Sequence, residues 1–185
     1  MSPAAGPRPA FRLLVVLGTD HHRFDRLVAW ADAWTARHAP CVTTTVQHGS
    51  SAPPRVCTGH DLIPHSELQR LMAQADAIVT HGGPATISEA RRHGLRPVVV
   101  PRDPVHGEHV DDHQQLFARR LADRGLVRLC RSGPELEEVL GEALRAPSSL
   151  RLEESAQLGD AAEVAAAVAR VGAVVDGLAR ARRRR

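Results

Sequence analysis

Residues 77–90 read AIVTHGGPATISEA, a short apolar run followed by two glycines, a proline and a helix-forming segment. The apolar run has the length of a buried strand, and Pro84 suits the first turn of a helix because its missing N–H needs no partner there. Gly82 and Gly83 allow the backbone to approach a ligand without a Cβ in the way. The following helix points its N-terminal N–H groups and the positive end of its dipole at the same place. The segment therefore predicts a strand–turn–helix unit with an anion site at the turn.

Strand-like and helix-like segments alternate on both sides of this unit. The further predicted strands are Phe11–Leu17, Cys41–Val46, Val56–Thr58, Val98–Val100 and Leu126–Leu129. The predicted helices are Phe24–His38, a helix capped by Ser66 that runs to Ala75, Pro84 to near Gly94, residues 111–124 and Glu135–Leu144. Strands that alternate with helices are typical of a parallel sheet covered by helices on both faces. The sequence therefore predicts an α/β fold with a Rossmann-like parallel sheet, plus a C-terminal helix.

The chain divides into four predicted parts. They are a disordered N-terminus at 1–10, a Rossmann-like domain at 11–146, a helical segment at 147–179 and an arginine-rich tail at 180–185. The helical segment carries an apolar stripe made of Val164, Val168, Val171, Val175 and Leu178. This stripe either packs across its own domain or docks on a partner protein. In the second case Trp30 and Trp34 are candidate neighbours, provided that they do not belong to the core of the domain.

The charge distribution argues against one class of partner. The chain has 185 residues, a formal net charge of +3 and 24 basic side chains, all of them arginine. Five of these arginines lie in residues 180–185, and acidic side chains outnumber the rest. A domain that binds nucleic acid carries its positive charge on the fold, so we expect no nucleic-acid partner.

The cysteines and the N-terminus indicate the compartment. Cys41, Cys57 and Cys130 lack the spacing of a metal site, and we expect them to be buried, reduced thiols. The first ten residues lack the apolar core of a signal peptide, and no apolar run is long enough to cross a bilayer. These features predict a cytoplasmic protein.

Ligands of parallel sheets bind where the carboxyl ends of the strands meet the following turns. The first such turn contains Gly18, Thr19 and Asp20, whose N–H groups suit the same anion as the turn at Gly82. His21 and His22 come next, and either one is a candidate general base. The alternative is that both are solvated loop histidines.

The helix after the glycine turn carries two further candidate ligand groups. Thr86 offers a hydroxyl donor, and Glu89 stands one helical turn further along. A carboxylate at that place can accept hydrogen bonds from vicinal hydroxyls, such as those of a ribose. The alternative is an ordinary glycine turn with a solvated Glu89.

The loop after Val100 reads PRDPVHGEHVDDHQQ over residues 101–115. Polar loops of this length within a compact domain are usually functional. Asp112 and Gln114, at the start of the next helix, suit hydrogen bonds to sugar hydroxyls. A metal site is an alternative, with four candidate ligands in His106, His109, Asp111 and His113. Because their spacing matches no compact ligand motif, we expect no metal and no cofactor.

These turns, taken in order, resemble the carboxyl-terminal, donor-binding half of a GT-B glycosyltransferase of family 28. The similarity covers about 130 residues, from about Leu14 to Leu144. Within this family the stretch resembles the short bacterial exopolysaccharide subunits and the catalytic subunit of the two-subunit dolichol-linked GlcNAc transferase. The residues that carry it are Gly18-Thr19, Phe24-Asp25-Arg26-Leu27, Gln47-His48-Gly49, Ala75-Asp76, His81-Gly82-Gly83, Thr86, Glu89, Gly94, Pro97, Val100-Pro101-Arg102 and GEHVDDHQ at 107–114.

The resemblance implies a UDP-sugar donor and a role for each turn. It implies that the diphosphate lies against Gly18, Thr19 and the turn from His81 to Gly83. It also implies that Glu89 holds the ribose. The uracil is implied near Ile63–Ser66, and the sugar near Asp112, His113 and Gln114. Pro84 departs from the family, where many members keep a small residue, and this departure removes one N–H from the phosphate turn.

The resemblance also implies a reaction and a partner. The reaction is inverting, metal-independent transfer of a hexose or N-acetylhexosamine to a lipid-linked saccharide acceptor, in bacterial exopolysaccharide or cell-envelope synthesis. A separate, membrane-anchored subunit is implied to bind the acceptor and to recruit this cytoplasmic chain to the inner face of the membrane. That subunit is also implied to supply the catalytic base, unless His21 or His22 has this role. A second hypothesis is a non-catalytic nucleotide-sugar-binding or regulatory subunit. A two-domain epimerase relative is disfavoured because the chain lacks a second Rossmann half.

Overall fold

The strands form one parallel sheet in the computed structural model, which describes residues 10–152. In chain order they are β1 Phe11–Val16, β2 Val42–Gln47, β3 Thr58–His60, β4 Ala77–Thr80, β5 Val98–Val99 and β6 Arg128–Leu129. Their spatial order is β3-β2-β1-β4-β5-β6, and each neighbouring pair is parallel. After β1 the chain adds β2 and β3 on one side of the sheet, and after β4 it adds β5 and β6 on the other side. The change of direction therefore falls between β1 and β4, where open parallel sheets bind ligands.

The connections between the strands are mostly helical. The helices are α1 Asp25–His38, α2 His65–Gln74, α3 Pro84–Arg92, α4 His113–Asp123 and α5 Gly133–Arg145. Single 3₁₀ turns lie at Pro104–His106 and Pro147–Leu150. None of the helices between residues 10 and 152 combines the length and the apolarity that a bilayer crossing requires.

Strand β1 is buried on both faces and divides the core. Successive side chains of a strand point to opposite faces of the sheet. Leu13 and Val15 therefore join the cluster that includes α1 and α5 residues, whereas Leu14 and Val16 join the cluster that includes α2 and α3 residues. The predicted Rossmann-like parallel sheet with helices on both faces is confirmed.

The edge strand β3 lies two residues later than predicted. We predicted Val56–Thr58, but the strand spans Thr58–His60. The carboxylate of Asp32 in α1 accepts hydrogen bonds from the backbone N–H groups of Arg55, Val56 and Cys57 at 2.7–3.1 Å. These amides are satisfied by a helix side chain, so pairing with β2 begins only after them.

Two smaller predictions are wrong. Ser66 does not cap α2, because the helix begins at His65 with Pro64 in the cap position. Cys41 is exposed just before β2, whereas Cys57 and Cys130 are buried free thiols, as predicted. Burial raises the pKa of Cys57 to about 11 and that of Cys130 to about 12, so both thiols stay protonated at neutral pH.

The two tryptophans both contribute to the domain interior. Trp34 is fully buried and makes an edge contact with the ring of Phe11, with 6.0 Å between ring centroids. Trp30 is partly buried against the same core cluster. Trp34 therefore cannot be the surface neighbour of a docked segment, contrary to the alternative raised from the sequence. The predicted disordered N-terminus (except residue 10), most of the C-terminal helical segment and the arginine-rich tail lie outside the described residues.

Candidate functional site

The turns after β1, β2 and β4 touch one another at the carboxyl edge of the sheet. A Cβ added to Gly49 would lie 2.9 Å from the carbonyl oxygen of Gly18. A Cβ on Gly18 would lie 2.6 Å from Cε1 of His81, and one on Gly83 would lie 2.6 Å from Nε2 of the same ring. Gly18 also has φ +79°, a conformation that favours glycine. The imidazole of His81 therefore fills the space between two glycines, directly at the change of direction in the sheet.

His81 is neutral at physiological pH. Desolvation by burial lowers the pKa of His81 to about 4, and the positive charge of Arg102 acts in the same direction. The Nδ1 atom of the ring lies 3.4 Å from the carbonyl oxygen of Val16. His81 therefore brings no positive charge to a ligand at the glycine turn.

The N-terminus of α3 opens onto the same turn. Gly83 is the N-cap residue, so no side-chain hydrogen bond caps the helix. Pro84 lies in the first turn, as predicted. The N–H groups of Ala85 and Thr86 have no acceptor inside the helix, because the first residues of any helix lack one. These donors and the helix dipole favour an anion at this position.

Glu89 and the loop before α2 are brought together. Oε1 of Glu89 lies 3.9 Å from Nδ1 of His65, the first residue of α2. The preceding Ile63 is buried, and its N–H donates to Oε1 of Gln47 at the end of β2, at 3.0 Å. The residues expected at the ribose and at the uracil thus lie next to each other. Gln47 is a positioning residue whose role the sequence reasoning missed.

An ion pair buried from solvent fixes the loop after β5. The carboxylate of Glu108 accepts hydrogen bonds from Nε and Nη2 of Arg26 in α1, at 2.9 and 2.8 Å. It also accepts from the N–H of Asp103 at 2.9 Å. The side chains of Glu108 and Arg26 are only 4% and 19% exposed. The polar loop is therefore held against α1 rather than free in solvent.

Arg102 connects the same loop to the loop after β1. Its guanidinium donates to the carbonyl oxygens of Leu17 at 2.9 Å, His22 at 2.7 Å and Glu108 at 3.1 Å. It is 1% exposed, and it stacks 5.0 Å from the ring centre of Phe24. Sequence reasoning gave Arg102 no role; its only signal was its place in the Val100-Pro101-Arg102 match.

Asp20 distinguishes the two candidate bases. Its Oδ1 accepts hydrogen bonds from the N–H of His22 at 2.8 Å and from Nδ1 of His22 at 2.7 Å. Although desolvation opposes ionisation, these bonds and the nearby Arg102 lower the pKa of Asp20 to about 2. The His22 side chain is 21% exposed, whereas that of His21 is 86% exposed and lies 3.5 Å from the carboxylate. Of the two histidines, His22 has the geometry of an oriented base.

The residues expected at the sugar lie at the start of α4. Asp112 is the N-cap residue and makes no side-chain cap hydrogen bond. Within residues 10–152, Oε1 of Gln114 is buried and has no hydrogen-bond partner. His113 contacts the carboxylate of Asp111. Nε2 of His109 lies 3.7 Å from Oδ2 of Asp20, which places this segment beside the loop after β1.

Of the four metal ligands considered from the sequence, three lie close together and His106 does not. Ligand atoms of His109, Asp111 and His113 lie within 4.8 Å of one another. His106 is exposed three residues earlier and does not join this group. It lines an open groove with His22, Arg26 and neighbouring loop residues instead.

Comparison with known proteins agrees with this architecture. The family model described as glycosyltransferase family 28 C-terminal domain matches residues 12–171. The UDP-N-acetylglucosamine--N-acetylmuramyl-(pentapeptide) pyrophosphoryl-undecaprenol N-acetylglucosamine transferase of Acinetobacter baumannii is 33% identical over 76 residues, which cover 41% of this chain and 20% of that protein. The chain thus spans about a fifth of the length of the curated relatives it matches.

Solved structures share the fold at low sequence identity. The glycotransferase of kitacinnamycin superposes with a TM-score of 0.61 at 21% identity, over 89% of this chain and 42% of that one. The MurG protein of Acinetobacter baumannii superposes with a TM-score of 0.53 at 22% identity, over 79% of this chain and 44% of that one. These likenesses support the fold of a GT-B half.

Proposed function

The chain belongs to the family of glycosyltransferase family 28 C-terminal domains, and from this membership we propose that it binds a UDP-sugar and takes part in transfer of the sugar with inversion. One observation carries the proposal. The change of direction in the sheet holds a glycine turn, an open helix N-terminus and, one turn later, the carboxylate of Glu89. This combination suits an anion followed by a pair of hydroxyls.

The diphosphate of the donor would lie against Gly18, Thr19 and the turn from His81 to Gly83. The N–H groups at the start of α3, with the hydroxyl of Thr86, would stabilise the negative charge that develops on the leaving UDP. Helix N–H groups supply this stabilisation without a metal. We therefore propose that donor binding needs neither metal nor cofactor.

The nucleoside and the sugar would lie on opposite sides of the diphosphate. Glu89 would accept hydrogen bonds from the ribose hydroxyls, and the uracil would lie beside Ile63 and the start of α2. Asp112, His113 and Gln114 would contact a hexose or N-acetylhexosamine. The printed name of the curated Acinetobacter baumannii relative contains UDP-N-acetylglucosamine, which makes this donor the first to test.

His22 is the proposed base within this chain. Asp20 holds Nδ1 of the ring, as an aspartate orients the histidine of a catalytic triad, and leaves Nε2 to act. Nε2 would take the proton of the acceptor hydroxyl while its oxygen attacks the anomeric carbon. The bond from that carbon to the UDP oxygen breaks, and UDP leaves with the electron pair. A base on a partner subunit is the alternative.

The acceptor side would come from a separate, membrane-anchored subunit that binds a lipid-linked saccharide and recruits this chain to the inner face of the membrane. The resemblance to short two-subunit transferases supports this arrangement. So does the need for a second domain to exclude water and align the attack. The proposed setting is bacterial exopolysaccharide or cell-envelope synthesis. A non-catalytic, nucleotide-sugar-binding subunit is the second candidate.

The test combines binding with transfer. Calorimetry should show binding of UDP and of at least one UDP-sugar among the GlcNAc, glucose, galactose and glucuronate forms, with and without EDTA. The genes beside this one are first searched for a short membrane-anchored protein. Labelled UDP-sugar is then offered to membranes from cells that co-express the chain with such a candidate partner, or either protein alone. Transfer only when both are present supports the proposal. Binding without transfer favours the non-catalytic subunit, and no binding of any UDP-sugar contradicts both.

A further inference from the structure

The loop after β5 brings three metal-ligating side chains to one place. His109, Asp111 and His113 each offer a ligand atom, and all three atoms lie within 4.8 Å of one another. We propose that these three side chains bind a Zn²⁺ ion and leave its fourth position open to water or a ligand. Nothing in the proposed binding of UDP requires such an ion.

The distances suit tetrahedral coordination. Nδ1 of His109 lies 3.4 Å from Oδ1 of Asp111. Two ligands with bonds of about 2.0 Å to a tetrahedral zinc lie about 3.3 Å apart, so these atoms need little movement. Nδ1 of His113 already contacts the same carboxylate oxygen, and an ion between them would separate the two groups.

The hydrogen bonds around His109 favour a ligating ring. The N–H of Asp111 lies 3.4 Å from Nδ1 of His109, so this nitrogen carries a lone pair, and a bound ion would take that lone pair in place of the long hydrogen bond. The proton is then on Nε2, which faces Oδ2 of Asp20 at 3.7 Å. A carboxylate behind the second nitrogen is the arrangement that orients metal-bound histidines. Asp20 would therefore support the ion without touching it.

The surrounding fold holds the ligands in position. Residue 109 directly follows Glu108, which is buried in its ion pair with Arg26, and the carbonyl of Glu108 is held by Arg102. His113 is the first residue of α4. Its N–H donates to Oδ1 of Asp111 at 3.2 Å. The three ligands thus lie between a buried anchor and a helix start.

The donor set selects the kind of ion. Two imidazoles and one carboxylate suit zinc and similar first-row ions, whereas Mg²⁺ prefers oxygen ligands only. The ion would occupy the segment that we place at the sugar. With Zn²⁺ bound, His113 would hold the ion instead of contacting the sugar directly, and the glycine turn would be unchanged.

The experiment titrates untagged, full-length protein with Zn²⁺ by calorimetry in a non-chelating buffer. All proteins carry Cys41→Ser, because the exposed thiol of Cys41 is itself a zinc ligand. We expect one ion per chain. Asp111→Asn and His113→Ala should each weaken binding by more than about tenfold, and Asp20→Asn by about 10–100-fold. Co²⁺ should give the visible absorption of a tetrahedral complex, and this band should be lost with Asp111→Asn.

Two variants serve as matched controls. His106→Ala removes an exposed histidine of the same loop, and His21→Ala removes a ligand of the neighbouring Asp20–His21–His22 group. Both should bind Zn²⁺ as the parent does, and circular dichroism should show that every variant is folded. Absence of stoichiometric Zn²⁺ binding, or unchanged affinity in Asp111→Asn and His113→Ala, would overturn the proposal. No nucleotide is present, so either result leaves the proposed transferase function untouched.

Discussion

The buried ring of His81 links folding to pH. Burial lowers the pKa of His81 to about 4, whereas an unfolded histidine titrates near 6.5. Between these pH values the unfolded chain takes up a proton that the folded chain does not. The free energy of unfolding therefore falls as the pH falls from about 6.5 to about 4, and the full stability is present above 6.5.

His81→Gln should remove this dependence. Between pH 7 and pH 4 the parent should lose about 2–3 kcal/mol more unfolding free energy than the variant, which corresponds to the shift of the His81 titration. Urea denaturation at both pH values measures the difference. His21→Gln, which removes an exposed imidazole, should keep the dependence of the parent. Identical pH dependence in the parent and in His81→Gln would show that the ring titrates normally.

In the proposed function, nucleotide recognition depends on Glu89. Glu89→Ala should weaken UDP binding by about 1–3 kcal/mol, because the ribose hydroxyls lose a charged hydrogen-bond acceptor. Calorimetry with UDP measures the change. Glu142→Ala, which removes a half-exposed carboxylate of α5, should bind UDP normally. An unchanged affinity in a folded Glu89→Ala protein would remove the carboxylate from the site.

At the level of elements, the loop after β5 is anchored to the rest of the domain. Its anchor is the pair of Glu108 with Arg26, and removal of one partner from a buried pair leaves an uncompensated charge. Glu108→Gln should lower the unfolding free energy by about 3 kcal/mol. The control is Glu137→Gln, which breaks a pair with Arg37 whose side chains are both about half exposed. That change should cost less than about 1 kcal/mol. Equal losses in the two variants would mean that the loop is not anchored through Glu108.

The start of α4 should discriminate between UDP and UDP-sugar. Oε1 of Gln114 is buried without a partner among the described residues, so a sugar hydroxyl there would gain a hydrogen bond at little cost. Gln114→Ala should weaken binding of the cognate UDP-sugar by about 1 kcal/mol and leave UDP binding unchanged. Gln115→Ala, one position along, is the matched control. Equal losses for the two ligands would assign Gln114 to the fold or to the nucleotide.

For the whole molecule, the sequence was sufficient to predict the parallel sheet. Apolar runs of strand length alternate with amphipathic segments, and glycine or proline marks the turns between them, so a parallel sheet with helices on both faces follows from general rules. The glycine turn at residues 82 and 83 is also a local signal. Because these features depend on neighbouring residues, they can be read from a single chain.

The contacts that shape the site depend on distant residues and were not predictable. Arg102 donates a hydrogen bond to the carbonyl oxygen of Leu17, which lies 85 residues earlier in the sequence. Glu108 accepts one from Arg26, which lies 82 residues earlier. No local pattern indicates which carbonyl or carboxylate will satisfy an arginine. The shifted start of β3 has the same origin, since it depends on Asp32 in a different element. The sequence could name His21 and His22 as bases, but only the fold shows which of them Asp20 holds.

Because His81 packs closely between Gly18 and Gly83, the residues that each of these three positions can tolerate depend on the other two. Any larger residue at position 83 would collide with the ring, and the collision would be relieved if position 81 became small. Position 18 is constrained twice, by the ring and by its φ of +79°, so a small residue at 81 would free it only in part. Gly83→Ala should therefore be harmful alone and much less so with His81→Ala, whereas Gly18→Ala should stay harmful in both backgrounds. Substitutions at the three positions are epistatic, and His81 determines which changes at the glycines natural variation can tolerate.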